Sequence, residues 1–153
     1  ATTVAASAVS VPKASRLASY LDRIDILFAN SAEAAGLANY NIQSNDDALI
    51  AANRLHQRGV GTVFVTLGSQ GVAGVSSSAQ LILPAIPSAV RDVVGAGDAF
   101  AAGTLAALLG STSLEDAMLS GLATASLTVE VNGPTDPKLN KVRVQERIQH
   151  QVS

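Results

Sequence analysis

The residues best suited to chemistry lie together in Asp92-Val93-Val94-Gly95-Ala96-Gly97-Asp98-Ala99-Phe100, a stretch that runs on to Gly103. A β-branched approach, Val93 and Val94, meets a glycine-rich turn, and an Ala/Leu-rich helical pattern follows from Asp98. Backbone amides in such a turn can point at one spot, and a helix N-terminus adds its partial positive charge there. Asp98 places a carboxylate beside that spot. An anion cradle next to a carboxylate suits phosphoryl transfer, in which charge on the moving group must be stabilised and a hydroxyl oriented. The same residues also read as a plain glycine turn with Asp98 as helix N-cap, because Asp is among the best caps. Two other phosphate motifs are excluded. A dinucleotide fingerprint needs Gly where Phe100 stands, and a P-loop needs a Gly-Lys-Ser/Thr that does not follow.

Three further stretches could serve such a site. Asn30-Ser31-Ala32-Glu33 follows an apolar run and has the spacing of a capping box. Thr66-Leu67-Gly68-Ser69-Gln70-Gly71 is a turn after a strand-like run, at the strand end where open α/β sheets bind ligands. Val131-Asn132-Gly133-Pro134 breaks a helical pattern. His56 and His150 fall on helix surfaces, and the charges at Arg16, Arg23 and Lys138–Arg147 look like ordinary solvated helix faces.

The elements that must hold these residues can be placed in order. Thr3 to Val9 is strand-like, and Ser10 and Pro12 open a helix with Leu17, Ala18 and Leu21 on its apolar face. Ile24 to Ala29 is a second strand, ended by Asn30, which starts a short helix with Gly36 as its stop. Ser44-Asn45-Asp46-Asp47 starts a helix that Gly59 closes. Thr62 to Leu67 is a buried strand, and Val72–Ser76 with Gln80–Leu83 forms an antiparallel pair. A helix from Asp98 to about Leu109 ends at Gly110. The next is capped by Thr112 or Ser113 and runs to about Val131. A polar helix over Asn140 to Gln149 follows. Strands alternating with helices, then a hairpin, then helices, predict an α/β fold with a mostly parallel sheet, flanking helices and a β-hairpin, in one domain over residues 1–153.

Bulk properties narrow the function. At 153 residues the chain is long enough to bury a real core. It is 48% hydrophobic but only 3% aromatic, so Ala, Val and Leu must build that core. A net charge of −2 without a basic block argues against nucleic acid as partner. The absence of cysteine excludes disulfides, Cys-ligated metals and thiol catalysis, and fits a cytoplasmic protein. No apolar run reaches the length of a membrane span, and the start lacks a basic n-region. The only Met is Met118, and the chain opens directly on strand-like sequence, which suggests one part of something longer.

Asp92 to Gly103 resembles, over its whole length, the C-terminal signature of the ribokinase-like (PfkB) family of carbohydrate and nucleoside kinases: Asp, two residues, Gly-Ala-Gly-Asp, a small residue, Phe, two residues, Gly. The Asn30–Glu33 and Thr66–Gly71 segments resemble the family's N-x-x-E and T-x-G-x-x-G motifs. The resemblance implies a three-layer fold and ATP-dependent phosphoryl transfer to a sugar or nucleoside hydroxyl. It implies that Asp98 is the base and that the amides of Gly95, Ala96 and Gly97 form the anion hole. Asn30 and Glu33 would organise Mg²⁺, a hard cation that prefers oxygen ligands and keeps its waters. Thr66, Gly68 and Gly71 would contact the nucleotide, and Asn132 and Gly133 would border adenine. Some members hold K⁺ near this loop and the carbonyl at the position of Asp92, but Pro134 and Pro137 depart from the family pattern here.

Only the C-terminal half of the family pattern is covered. The residues that hold the acceptor, and a small β lid, belong to the other half. The expectation is therefore a weak or inactive kinase when the chain is alone, and self-association through an exposed strand edge or pairing with a missing N-terminal half. Wording around the motifs is similar to the pseudouridine-kinase branch. The competing reading is a non-catalytic nucleotide-binding or interaction remnant.

Overall fold

A computed structural model describes residues 2–152 of the chain. They divide into two compact units, one up to Pro84 and one from Ala85 onward.

The first unit holds a five-stranded sheet in the order β1 (Ala5–Ser7), β2 (Ile26–Asn30), β3 (Thr62–Thr66), β4 (Val72–Val75) and β5 (Gln80–Leu83). β1–β2 and β2–β3 are parallel, and β3–β4 and β4–β5 are antiparallel. The α/β class and the hairpin agree with the sequence, while the sheet is evenly mixed. Both antiparallel pairings follow short connections, over residues 67–71 and 76–79, each of which reverses the chain beside the strand it has just left.

Three helices pack with this sheet: α1 (Val11–Leu17), α2 (Ser31–Ala38) and α3 (Asn45–Gln57). Leu27, Ala29, Val63, Val65, Ala73 and Val75 alternate onto one sheet face and share a core with Ala34, Leu37, Ala48, Ala51, Ala52 and Leu55. The alanines let the helices lie close. Phe28 and Phe64, register partners, stack on the opposite face with centroids 5.2 Å apart. Ser10 and Ser44 cap α1 and α3 as expected, each side chain accepting an amide of the first turn, an arrangement worth about 1 kcal/mol. Gly36 does not stop its helix. α2 continues through it and ends at Asn39, which takes the left-handed conformation with φ 47°.

The second unit contains α4 (Ala96–Leu108), α5 (Leu114–Val129) and α6 (Lys141–Val152). Ser113 is the α5 cap, accepting from the Asp116 amide at 3.1 Å. α4 and α5 meet through reciprocal glycines. A Cβ on Gly103 would strike Thr124, and one on Gly121 would fall 2.7 Å from Phe100. The last Gly of the signature is therefore a packing residue, as is Phe100, which is buried. Among the described residues no helix is long and apolar enough to cross a membrane.

Candidate functional site

The signature loop is built by a left-handed glycine. Gly95, at φ 82°, is the N-cap of α4, and Asp98 is the third residue of the helix, in its first turn. Asp98 is thus not the cap. Its side chain is exposed and makes no hydrogen bond or ion pair to the described residues. The amide of Ala96 donates to Val93 O at 3.2 Å, whereas those of Gly95, Gly97 and Asp98 have no partner among the described residues. First-turn amides have no carbonyl four residues back inside the helix, so they remain available to an anion.

Asp92 fixes the approach to this turn. Its Oδ1 accepts from Val94 N at 2.9 Å, an Asx turn, and its Oδ2 accepts from Gly133 N at 3.1 Å. The Val94 amide and then the Gly133 amide hold its carboxyl below the ordinary carboxylate range. A Cβ on Gly95 would lie 2.9 Å from Pro134 Cα, so the 132–134 loop rests directly on the glycine turn. The structure therefore sets Pro134 against Gly95 and ties Gly133 to the approach of the turn through the Asp92 carboxylate.

In the first unit, Asn30 and Thr66 are register partners at the carboxyl ends of adjacent parallel strands. Asn30 and Glu33 form a full capping box. Glu33 N donates to Asn30 Oδ1 at 2.9 Å, and Asn30 N donates to Glu33 Oε2 at 2.9 Å. Glu33 is 8% exposed, and its second oxygen makes no hydrogen bond to the described residues. Among the described residues no group of three or more His, Asp or Glu could hold a metal by itself. One carboxylate oxygen left over from a cap fits a hydrated Mg²⁺ that takes its other ligands from phosphates and water. After Thr66, the chain makes a 3-10 turn at Gly68–Gln70, with Gly68 at φ 59° and Gly71 at φ 113°.

Several supporting residues carry no local signal in the sequence. Glu130, the C-cap of α5, takes both guanidinium nitrogens of Arg147, at 2.9 and 2.7 Å, and this partner holds its carboxyl below the usual range. Asp136 is held low first by the Lys138 amide and also by Arg143. These arginines are not the solvated face expected from sequence. Their spacing of four places both on one side of α6, but partners at separations of 17 and 7 leave no local signal. His56, expected on a surface, instead sets Nδ1 2.7 Å from Val60 O. A cavity of about 720 Å³ among α4, α5 and α6 includes none of the predicted site residues.

The profile of the pfkB family carbohydrate kinases matches residues 3–141. The chain is 38% identical over 117 residues to 1-phosphofructokinase of Haloferax volcanii, covering 76% of this chain and 38% of that protein. It is 30% identical over 130 residues to the ribokinase of Haemophilus influenzae, covering 85% of this chain and 42% of that protein. The structure of Arabidopsis thaliana ribokinase complexed with ribose and ATP superposes with a TM-score of 0.77 at 32% identity, over 86% of this chain and 43% of that one. The chain thus spans about two fifths of the length of these relatives.

Proposed function

The chain belongs to the pfkB family of carbohydrate kinases, and from that premise we propose that it carries the ATP-binding and catalytic-base half of an enzyme that phosphorylates a hydroxyl of a sugar or nucleoside. The observation behind this reading is the exposed Asp98 carboxylate on the first turn of α4, beside the unpartnered amides of Gly95 and Gly97. Asp98 takes the proton of the acceptor hydroxyl as it attacks. The Gly95–Gly97 turn, with the Asp98 amide, holds the charge on the transferred phosphoryl. Ala96 joins the anion hole only by releasing Val93 O.

Thr66, Gly68 and Gly71 contact the nucleotide, and Asn132 and Gly133 border adenine. Mg²⁺, when bound, neutralises charge on the phosphates. Glu33 would help hold it, and Asn30 keeps Glu33 in place through the capping box. K⁺ beside the 131–133 loop is a further element of this proposal. A cytoplasmic setting, self-association and an acceptor such as pseudouridine belong to the same reading. None of them is needed for the chemistry at Asp98.

One observation favours a second reading. The aligned parts make up only 38% and 42% of the two curated relatives, and positioning the acceptor supplies much of the rate in phosphoryl transfer. On the first reading the chain alone is a weak kinase, and on the second it is a non-catalytic nucleotide-binding or interaction remnant. A coupled assay with MgATP and a panel of sugars and nucleosides separates the two. Slow but acceptor-dependent turnover supports the kinase reading, and nucleotide binding with no transfer to any acceptor supports the remnant.

A further inference from the structure

We infer that α6 braces the two loops of the candidate site, with Glu130 and Arg147 as positioning residues; the inference rests on the nucleotide-site reading given above. Residues 89–95 contain neither strand nor helix before α4 begins, so their position depends on individual hydrogen bonds. Those bonds converge on the end of α5. Val129 O accepts from Arg91 N at 2.7 Å and from Asp92 N at 3.2 Å. Glu130 Oε1 accepts from Ala89 N at 3.3 Å and also from Arg147 Nη1. The fork of Arg147 therefore fixes the carboxylate that receives the loop.

A second strut runs in parallel one turn earlier on α6. Arg143 Nη1 meets Asp136 Oδ2, and Asp136 Oδ1 accepts from Lys138 N at 2.8 Å. That strut holds the far side of the loop that contains Asn132 and Gly133. Between the two struts, Asp92 joins the loops directly through Gly133 N. Each loop is thus tied to α6 through one carboxylate, and the loops are tied to each other through a third.

The Glu130–Arg147 pair is bidentate, with side-chain exposures of 27% and 21%. It is neither a flexible surface pair nor part of the apolar core. Its geometry orients both oxygens of Glu130, which a lysine could not do. The amides of the glycine turn begin only six residues after Ala89. A shift of about 1 Å at such a position can cost about a hundredfold in a reaction that depends on alignment.

The test uses the full chain with Arg147→Ala, Arg147→Lys and Arg143→Ala. Hydrogen–deuterium exchange and MgATP titration are measured on each. In Arg147→Ala, exchange at the amides of Ala89, Arg91, Asp92 and Gly133 should rise about tenfold, the order expected when a local opening loses one charge-assisted fork. The central turns of α4 and α5 should keep their protection, and MgATP affinity should fall severalfold. Arg147→Lys should recover the charge but less than half of either effect. Arg143→Ala should raise exchange chiefly over residues 136–138. Unchanged loop exchange in Arg147→Ala would overturn the inference. So would a rise spread evenly through α4 and α5, which would mark a general stabilising role. If the wild type binds no MgATP, the nucleotide reading fails while the exchange experiment still decides whether α6 braces the loops.

Discussion

The two glycines of the signature turn should respond to alanine in opposite ways. Gly95 sits at φ 82°, and a Cβ there would lie 2.9 Å from Pro134 Cα and 3.0 Å from Pro134 C. The left-handed conformation costs a residue with a Cβ roughly 1 kcal/mol. Pushing a backbone segment aside costs roughly 1–3 kcal/mol more. The loop cannot retreat freely, because Asp92 Oδ2 holds Gly133 N one residue away. Gly95→Ala should therefore lose about 3 kcal/mol, seen as a fall in melting temperature of roughly 6–12 °C for a chain of this size. Gly97 is helical, and a Cβ there meets nothing within 4 Å. Gly97→Ala should keep its stability within about 0.5 kcal/mol or gain slightly, since Ala is the better helix former. Thermal and urea unfolding of both variants, followed by circular dichroism, make the comparison. Equal losses in the two variants, or a Gly95→Ala protein as stable as wild type, would refute the reasoning. Given a stable Gly97→Ala protein, any loss of MgATP binding by it belongs to the anion site itself.

Three further outcomes follow from the same contacts. Thr104 Oγ1 is fully buried with no partner among the described residues, so Thr104→Val should raise stability by about 1 kcal/mol; a loss in urea unfolding would show that the hydroxyl is satisfied. Glu33→Gln keeps a side chain that can complete the capping box, so stability should change by under about 0.5 kcal/mol while Mg²⁺ stops improving ATP affinity; titrations with and without Mg²⁺ check this. Asp92, Glu130 and Asp136 all have depressed folded values, so their stabilisation is complete above the unfolded carboxylate range near 4 and is lost as pH falls through the folded values. Unfolding measured from pH 7 to pH 3 should show this loss, and Glu130→Gln should flatten the slope.

The parts of the fold visible in the sequence are those fixed locally. Ser10, Ser44 and Ser113 cap their helices because a hydroxyl needs only the amide three residues on. The capping box at Asn30–Glu33 and the hairpin over Val72–Leu83 are equally local. The departures come from longer-range contacts. Gly36 has the residue type of a helix stop, yet Asn39 three residues later takes the left-handed cap, and α2 runs through Gly36 with Val11 3.6 Å from where a Cβ would be. Asp98 reads locally as an N-cap, but the left-handed Gly95 takes that place, and the Pro134 that packs against it lies 39 residues away, outside any local pattern. The arginines of α6 looked like a solvated face because Glu130 and Asp136 lie outside their helix. The motifs themselves are legible from residue spacing, and the long-range contacts that hold their loops are not.

The most direct test of the central claim compares wild type with Asp98→Asn for MgATP binding and for phosphoryl transfer to the best acceptor of a sugar and nucleoside panel. Asp98 is exposed and makes no hydrogen bond to the described residues, so the substitution should leave the fold intact and change MgATP affinity by less than about threefold. Transfer should fall by about 10²–10⁴-fold, the contribution of a positioned general base. Transfer that survives in Asp98→Asn at the wild-type rate would contradict the assignment of Asp98 as the base.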